Sequence, residues 1–191
     1  NIKQERKREM RNRFDRQLEQ LHVELMEMGS MCEEVIRKTS RALETGEKEM
    51  AKDIRKEDAR IDEQERLIES LCLKLLLQQQ PVAKDLRKVS AALKMITDME
   101  RIGDQTSDIA EIILSSKDWA PADEDIHVIG KMASEVSKMV RNSVTAYVKK
   151  DLELARDVMK ADDAIDEYFE EVRDEMIDFI KEEKGKNGKK I

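Results

Sequence analysis

From Phe14 to Ala42 uncharged side chains recur at Phe14, Leu18, Leu21, Leu25, Met28, Cys32, Val35, Thr39 and Ala42, in alternating steps of four and three. That spacing is one face of a long α-helix packed along its length. The same reading continues down the chain and predicts five helices, at about 14–43, 50–79, 82–115, 123–149 and 152–183. Gly46 suits the left-handed cap after the first helix, and Pro81 suits the first position of the third. Trp119-Ala120-Pro121 reads as a linker to a second half. The fourth helix carries Ile129, Met132, Val136, Met139, Ser143 and Ala146 on one face. Five helices of this length make the expected fold class all-α.

Carboxylates interrupt this pattern. The second stripe reads Ile54, Asp58, Ile61, Glu65, Ile68, Cys72, Leu75. The third runs Val82, Leu86, Val89, Leu93, Ile96, Glu100, Gly103, Ser107, Ala110, Leu114, with Asp104 and Asp108 one position round. The fifth runs Ala155, Val158, Asp162, Ile165, Phe169, Val172, Met176, Phe179. Residues 51–63 match residues 155–167 at seven of thirteen positions, so the Asp58/Asp62 pair returns as Asp162/Asp166. A long-period match of this kind means duplication of a helical unit. Inward carboxylates are costly unless something neutralises them.

The second and third helices form a hairpin about residue 81, in which residues equally distant from the turn lie side by side. Asp58 then faces Asp104, and Asp62 faces Glu100. An acid–three residues–acid spacing stacks both carboxylates on one helix face. Glu65 and Asp108 extend the patch. An oxygen-only set selects hard or borderline cations, magnesium and manganese among them, and can bridge more than one. The competing expectation is that the acids are solvated, or paired with Arg60, Arg66, Arg87 or Arg101.

Composition narrows the picture. Charged residues make up 41% of the 191 and aromatics 3%, the profile of amphipathic helices. A net charge of −7 disfavours nucleic acid. The basic stretch around Lys3, Arg6, Lys7, Arg8, Arg11 and Arg13 reads as a solvated helix start or leader. No apolar run approaches the ~20 residues that span a bilayer. Two cysteines, Cys32 and Cys72, give no disulfide framework, and a reducing, cytoplasmic setting is the expectation. His22 and His127 lie in neither acidic motif, which argues against a Glu-x-x-His di-iron oxidase site. The alternatives carried forward are a carboxylate-bridged metalloenzyme and a metal-free helical interaction protein.

The residues Met10-Arg-Asn-Arg-Phe-Asp15, Gln79-Gln-Pro-Val-Ala-Lys-Asp-Leu-Arg87 and Glu100-Arg-Ile-Gly-Asp104, with the repeated Asp-x-x-x-Asp, resemble the PhoU family of phosphate-uptake regulators. The resemblance runs from Met10 nearly to the end. It implies two tandem three-helix bundles carrying multinuclear iron or zinc clusters. Asp58, Asp62, Glu100 and Asp104 would hold the first cluster, with Glu65 and Asp108 as additions. Asp162 and Asp166 would supply half of the second. It further implies a cytoplasmic, dimeric, non-enzymatic protein that links a Pst-type phosphate transporter ATPase to a sensor histidine kinase and meets the membrane only through them. The division expected is a leader or tag at 1–9, a first repeat at 10–118, a linker at 119–122, a second repeat at 123–183 lacking its last helix, and a basic tail at 184–191. An uncovered apolar flank in the second half implies self-association and weak metal occupancy at Asp162 and Asp166.

Overall fold

The computed structural model describes residues 2–78, 83–117 and 123–187. Five helices account for nearly all of them: α1 Ile2–Thr45, α2 Lys48–Gln78, α3 Ala83–Ser115, α4 Asp123–Lys149 and α5 Leu152–Asn187. Helices α1, α2 and α3 pack mutually as a three-helix bundle. Helix α4 lies against α1, and α5 packs on α4. The Gln79–Val82 connection and the Trp119–Pro121 linker fall outside the described residues.

The predicted α1 stripe is the spine of the core. Leu21, Leu25, Met28, Cys32, Val35 and Ala42 are fully buried. Burying side chains of the Leu, Met and Val class contributes roughly 1.5–3 kcal/mol each. Helix α1 begins well before Phe14, and residues 2–9 are part of it. At the other end α5 continues through Gly185 to Asn187, into what composition alone marks as a tail.

Two connections follow local chemistry. Gly46 adopts φ 66° and its N–H donates to the Ala42 carbonyl at 2.9 Å, closing α1. Lys150 takes the same left-handed role after α4 at φ 57°. Its N–H reaches the Tyr147 carbonyl at 3.3 Å, and that of Asp151 reaches Ala146 at 2.9 Å. Asp151 then caps α5, its Oδ1 accepting from the N–H groups of Glu153 at 3.1 Å and Leu154 at 3.0 Å.

The α4 contact is close. A Cβ on Gly29 of α1 would stand 3.2 Å from Val144 Cγ2. Near the same end, the Tyr147 hydroxyl donates to the Lys88 carbonyl at 2.9 Å, and its ring meets His22 edge-on at 5.8 Å. Among the described residues helix α5 packs on α4, and its packed face is the half-buried row Ala155, Val158, Ala161, Ile165, Tyr168 and Val172. Asp162 and Phe169 turn outward instead, Phe169 to 59% exposure. Met176 and Ile177 are also exposed. A 320 Å³ groove, mostly apolar, runs beside this helix, with Ile36, Leu43, Ile109, Val136, Phe169 and Val172 among its walls.

Asp85, which lies off every predicted apolar stripe, is buried at the start of α3. Its carboxylate accepts from Arg11 Nη1 at 2.7 Å and from Lys88 Nζ at 3.1 Å. Arg11 therefore fastens the early part of α1 to α3 instead of being simply solvated, and it also pairs with Asp15 at 3.2 Å. Burial by itself would raise the Asp85 carboxyl, but the hydrogen bonds and charges of Arg11 and Lys88 outweigh it and hold the group below its ordinary range. A depressed carboxyl contributes stability above its unfolded pKa of about 3.9 and loses it as pH falls through the folded value. Asp85→Asn is expected to lower the unfolding free energy at pH 7 by about 1.5–3 kcal/mol in urea titrations. That difference from wild type should shrink toward zero as the medium is acidified below about pH 4.

Candidate metal centre

The α2–α3 hairpin sets the site. Its seam is built from Ile54, Ile61, Ile68, Cys72 and Leu75 on α2, all fully buried. On α3 the buried row is Val89, Ala92, Ile96, Met99, Gly103, Thr106, Ala110 and Ile113. The α3 core is thus rotated from the predicted stripe. Leu86 is exposed, while Leu93, Glu100, Ser107 and Leu114 are half-buried on a flank. The reason is that α3 packs on α1 as well as α2 and presents a broader face to the pair.

The carboxylates consequently line the margin of the hairpin, not its core. Asp58, Asp62, Glu65 and Glu100 are half-buried, whereas Asp104 and Asp108 are exposed. The marginal position corrects the expectation of fully inward acids. It also lowers their cost, because water still reaches part of each group.

The level matching predicted from the hairpin is seen in the contacts. Asp58 lies against Gly103, where a Cβ would stand 2.8 Å from Asp58 Oδ1 and 3.4 Å from two Ile61 carbons. Asp58 Oδ1 is buried with no hydrogen-bond partner. Burial raises the Asp58 carboxyl, and the charges of Asp62 and Asp104 add to this, with Asp108 contributing less. Ser107 offsets only part of the effect. Glu65 is raised by burial, then by Glu69 and Asp62, against a smaller opposing effect of Arg66. Glu100 is raised by burial, then by Asp104, Glu65, Asp62 and Asp58. Acids from both helices therefore sense one another across the hairpin.

Arginines neutralise little of this cluster. Arg66 reaches Asp62 at 3.5 Å. Arg60 pairs with Glu57 at 2.7 Å and Arg101 with Asp98 at 3.7 Å, both outside the cluster. The donors are all hard oxygens, and the orphaned Asp58 Oδ1 suits a cation ligand. In the arrangement seen, no three carboxylate, imidazole or thiol groups of the described residues converge closely enough to grip an ion. Half-exposed carboxylates on flexible side chains would have to rotate inward to do so. Asp162 and Asp166 lie exposed on α5, which does not pack against α2 or α3, so the fold does not bring them to the first group.

The cysteines play no part. Cys32 and Cys72 are buried free thiols. Burial pushes them up to about 12 and about 11 respectively, so both stay protonated and inert at neutral pH.

A tandem helical fold with a carboxylate patch where its first hairpin closes defines a class of all-α, repeat-built proteins. Within that class, the model of the PhoU domain matches residues 25–113 and again 129–190. The phosphate-specific transport system accessory protein PhoU homolog of Clostridium acetobutylicum is 37% identical over 174 residues, covering 91% of this chain and 79% of the relative. The crystal structure of PhoU from Pseudomonas aeruginosa superposes with a TM-score of 0.82 at 28% identity, over 88% of this chain and 81% of that one. The phosphate transport system regulatory protein PhoU from Streptococcus pneumoniae gives 0.79 at 29%, over 88% and 79%. The chain belongs to the PhoU family.

The electrostatics of the cluster can be tested without metal. Like-charged helix neighbours cost about 0.2–0.5 kcal/mol apiece, and Asp58 faces three. In chelator-treated protein, Asp58→Asn is expected to raise stability at pH 7 by about 1 kcal/mol, or roughly 2–4 °C in Tm. Raised carboxyls bind protons more readily in the folded state. Metal-free wild type should therefore gain stability from these groups as pH falls from 7 toward 5, and the variant should gain less, as followed by thermal melts.

Proposed function

We propose that this protein is an accessory regulator of phosphate uptake. In this reading it restrains the phosphate-starvation response as a metal-binding scaffold between a Pst-type transporter ATPase and a sensor histidine kinase. The observation that carries the metal part is the buried, unpartnered Asp58 Oδ1, set among acids from two helices. The regulatory part rests on family membership and on relatives named as accessory and regulatory proteins of phosphate transport. No helix of the described residues is long and apolar enough to cross a membrane, which suits a protein that meets the transporter from the cytoplasm. The relatives' names describe no enzyme, and we read this chain as non-catalytic.

Asp58, Asp62, Glu100 and Asp104 are the residues assigned to the cation, with Glu65 and Asp108 at the edge. A bound divalent or trivalent ion, iron or zinc included, supplies positive charge that neutralises the cluster. Gly103 keeps the space into which Asp58 projects. Metal at a hundredfold excess over Kd should stabilise the fold by about 2.7 kcal/mol. Asp62→Asn with Asp104→Asn should cut metal content sharply in elemental analysis. Gly103→Ala should do the same by displacing the Asp58 carboxylate, while helix propensity keeps its stability within about 1 kcal/mol of wild type. Unchanged stoichiometry in both variants would remove the metal assignment.

For regulation, deleting the gene is expected to leave phosphate-starvation genes active in phosphate-rich medium. Normal repression in the null strain would end this reading. The outward Phe169, Met176 and Ile177 on α5 support self-association as a homodimer through that face. Light scattering across a dilution series should show a concentration-dependent mass, whereas a strict monomer at high concentration refutes it.

A further inference from the structure

A second polar site lies between α1 and α4, on residues distinct from those of the carboxylate cluster. There α1 and α4 diverge to leave an open groove of about 740 Å³. Its floor on α4 is low, formed by Gly130, Ala133, Ser134 and Ser137. Its α1 wall carries Arg37 and Arg41, one helical turn apart and therefore on one face.

The charges in this groove do not cancel evenly. Glu33 is held by Arg141, whose Nε donates to it at 3.0 Å. Glu34 is held by Lys38 at 3.0 Å. Lys138 is engaged by Glu135 at 2.6 Å. Among the described residues, neither Arg37 nor Arg41 has a carboxylate within ion-pair distance, although Glu34 senses the charge of Arg37. Glu44, beside Gly130, is the remaining acid. Ser40, Ser134 and Ser137 line the groove without hydrogen-bond partners among the described residues, and Ser40 Oγ lies 4.0 Å from the Cβ position of Gly130. In a chain of net charge −7, two guanidinium groups and three hydroxyl groups without partners among the described residues form a local anion-receptive surface.

We propose that the α1–α4 groove binds a phosphate-class oxyanion, with Arg37 and Arg41 as the charged contacts and Ser40, Ser134 and Ser137 as hydroxyl donors. The planar guanidinium fork matches tetrahedral oxyanions, and two forks in succession can clasp one anion or a short chain of them. No aromatic ring stands among the described residues that line the groove, so nothing there would stack a nucleobase. That favours inorganic phosphate or a short linear polyphosphate over a nucleotide. The site is separate from the carboxylate cluster, and binding here does not depend on whether the protein restrains transport.

Isothermal titration of the chelator-treated protein at low ionic strength tests this, with inorganic phosphate in one arm and tripolyphosphate in the other. Chelation removes any contribution from metal at the carboxylates. Saturable binding in either arm is expected, and comparing the two arms shows whether the groove spans one phosphate group or a short chain of them. Arg37→Gln with Arg41→Gln should weaken binding at least tenfold at unchanged helicity. Glu44→Gln should tighten it. A charge-matched control, Arg55→Gln with Arg87→Gln, should leave the affinity within twofold. Absence of binding in both arms, or equal weakening in the control, overturns the proposal.

Discussion

One helix serves two sets of neighbours, and the rest of the structure depends on that. Helix α1 gives α2 and α3 an unbroken apolar seam through Leu21, Leu25, Met28 and Val35, and it receives α4 on another side. The second contact is possible because Gly29 has no side chain where Val144 arrives. Alanine there would place its Cβ 3.2 Å from a Val144 methyl, and that side chain would have to give by a few tenths of an ångström. Because α5 packs on α4, its place in the fold also follows from the α1–α4 contact.

The carboxylate cluster is a consequence of how α3 satisfies its two partners. Facing both α1 and α2, it turns its small residues inward, Ala92, Gly103 and Ala110, and moves Glu100 to the flank. Helix α2 then approaches so closely that Asp58 occupies the space a side chain at position 103 would need. The result is a set of acids near enough to raise one another, yet still partly hydrated. Such a patch is open to cation entry in a way that fully buried acids would not be, and it avoids the several kcal/mol that burying each unpaired charge costs.

Elsewhere the same chain neutralises its charges internally. Asp85 is enclosed by Arg11 and Lys88, and Glu57 by Lys38 and Arg60. These compensated pairs are structural. The carboxylates of the α2–α3 margin and the guanidinium groups of Arg37 and Arg41 in the α1–α4 groove lack such close compensation among the described residues. The two places are of opposite sign and are served by different helix pairs.

Much of this was legible in the sequence because helical periodicity is local. The α1 stripe was correct residue by residue, since an uninterrupted apolar seam with steps of four and three fixes which face meets α2 and α3. The level of Asp58 with Gly103 and Asp104 also followed, because a hairpin fixes the axial register by counting from its turn. Rotation about the helix axis is not fixed in that way. Whether α3 buries Glu100 or Met99 depends on where two other helices press on it, and neighbouring positions on a stripe look alike in sequence. The sequence likewise could not show that Arg11 reaches Asp85 across 74 residues, or that Arg37 and Arg41 have no carboxylate within ion-pair distance among the described residues. Charge pairing depends on distances of 3–4 Å between elements far apart in the chain, and only the packed tertiary structure sets them.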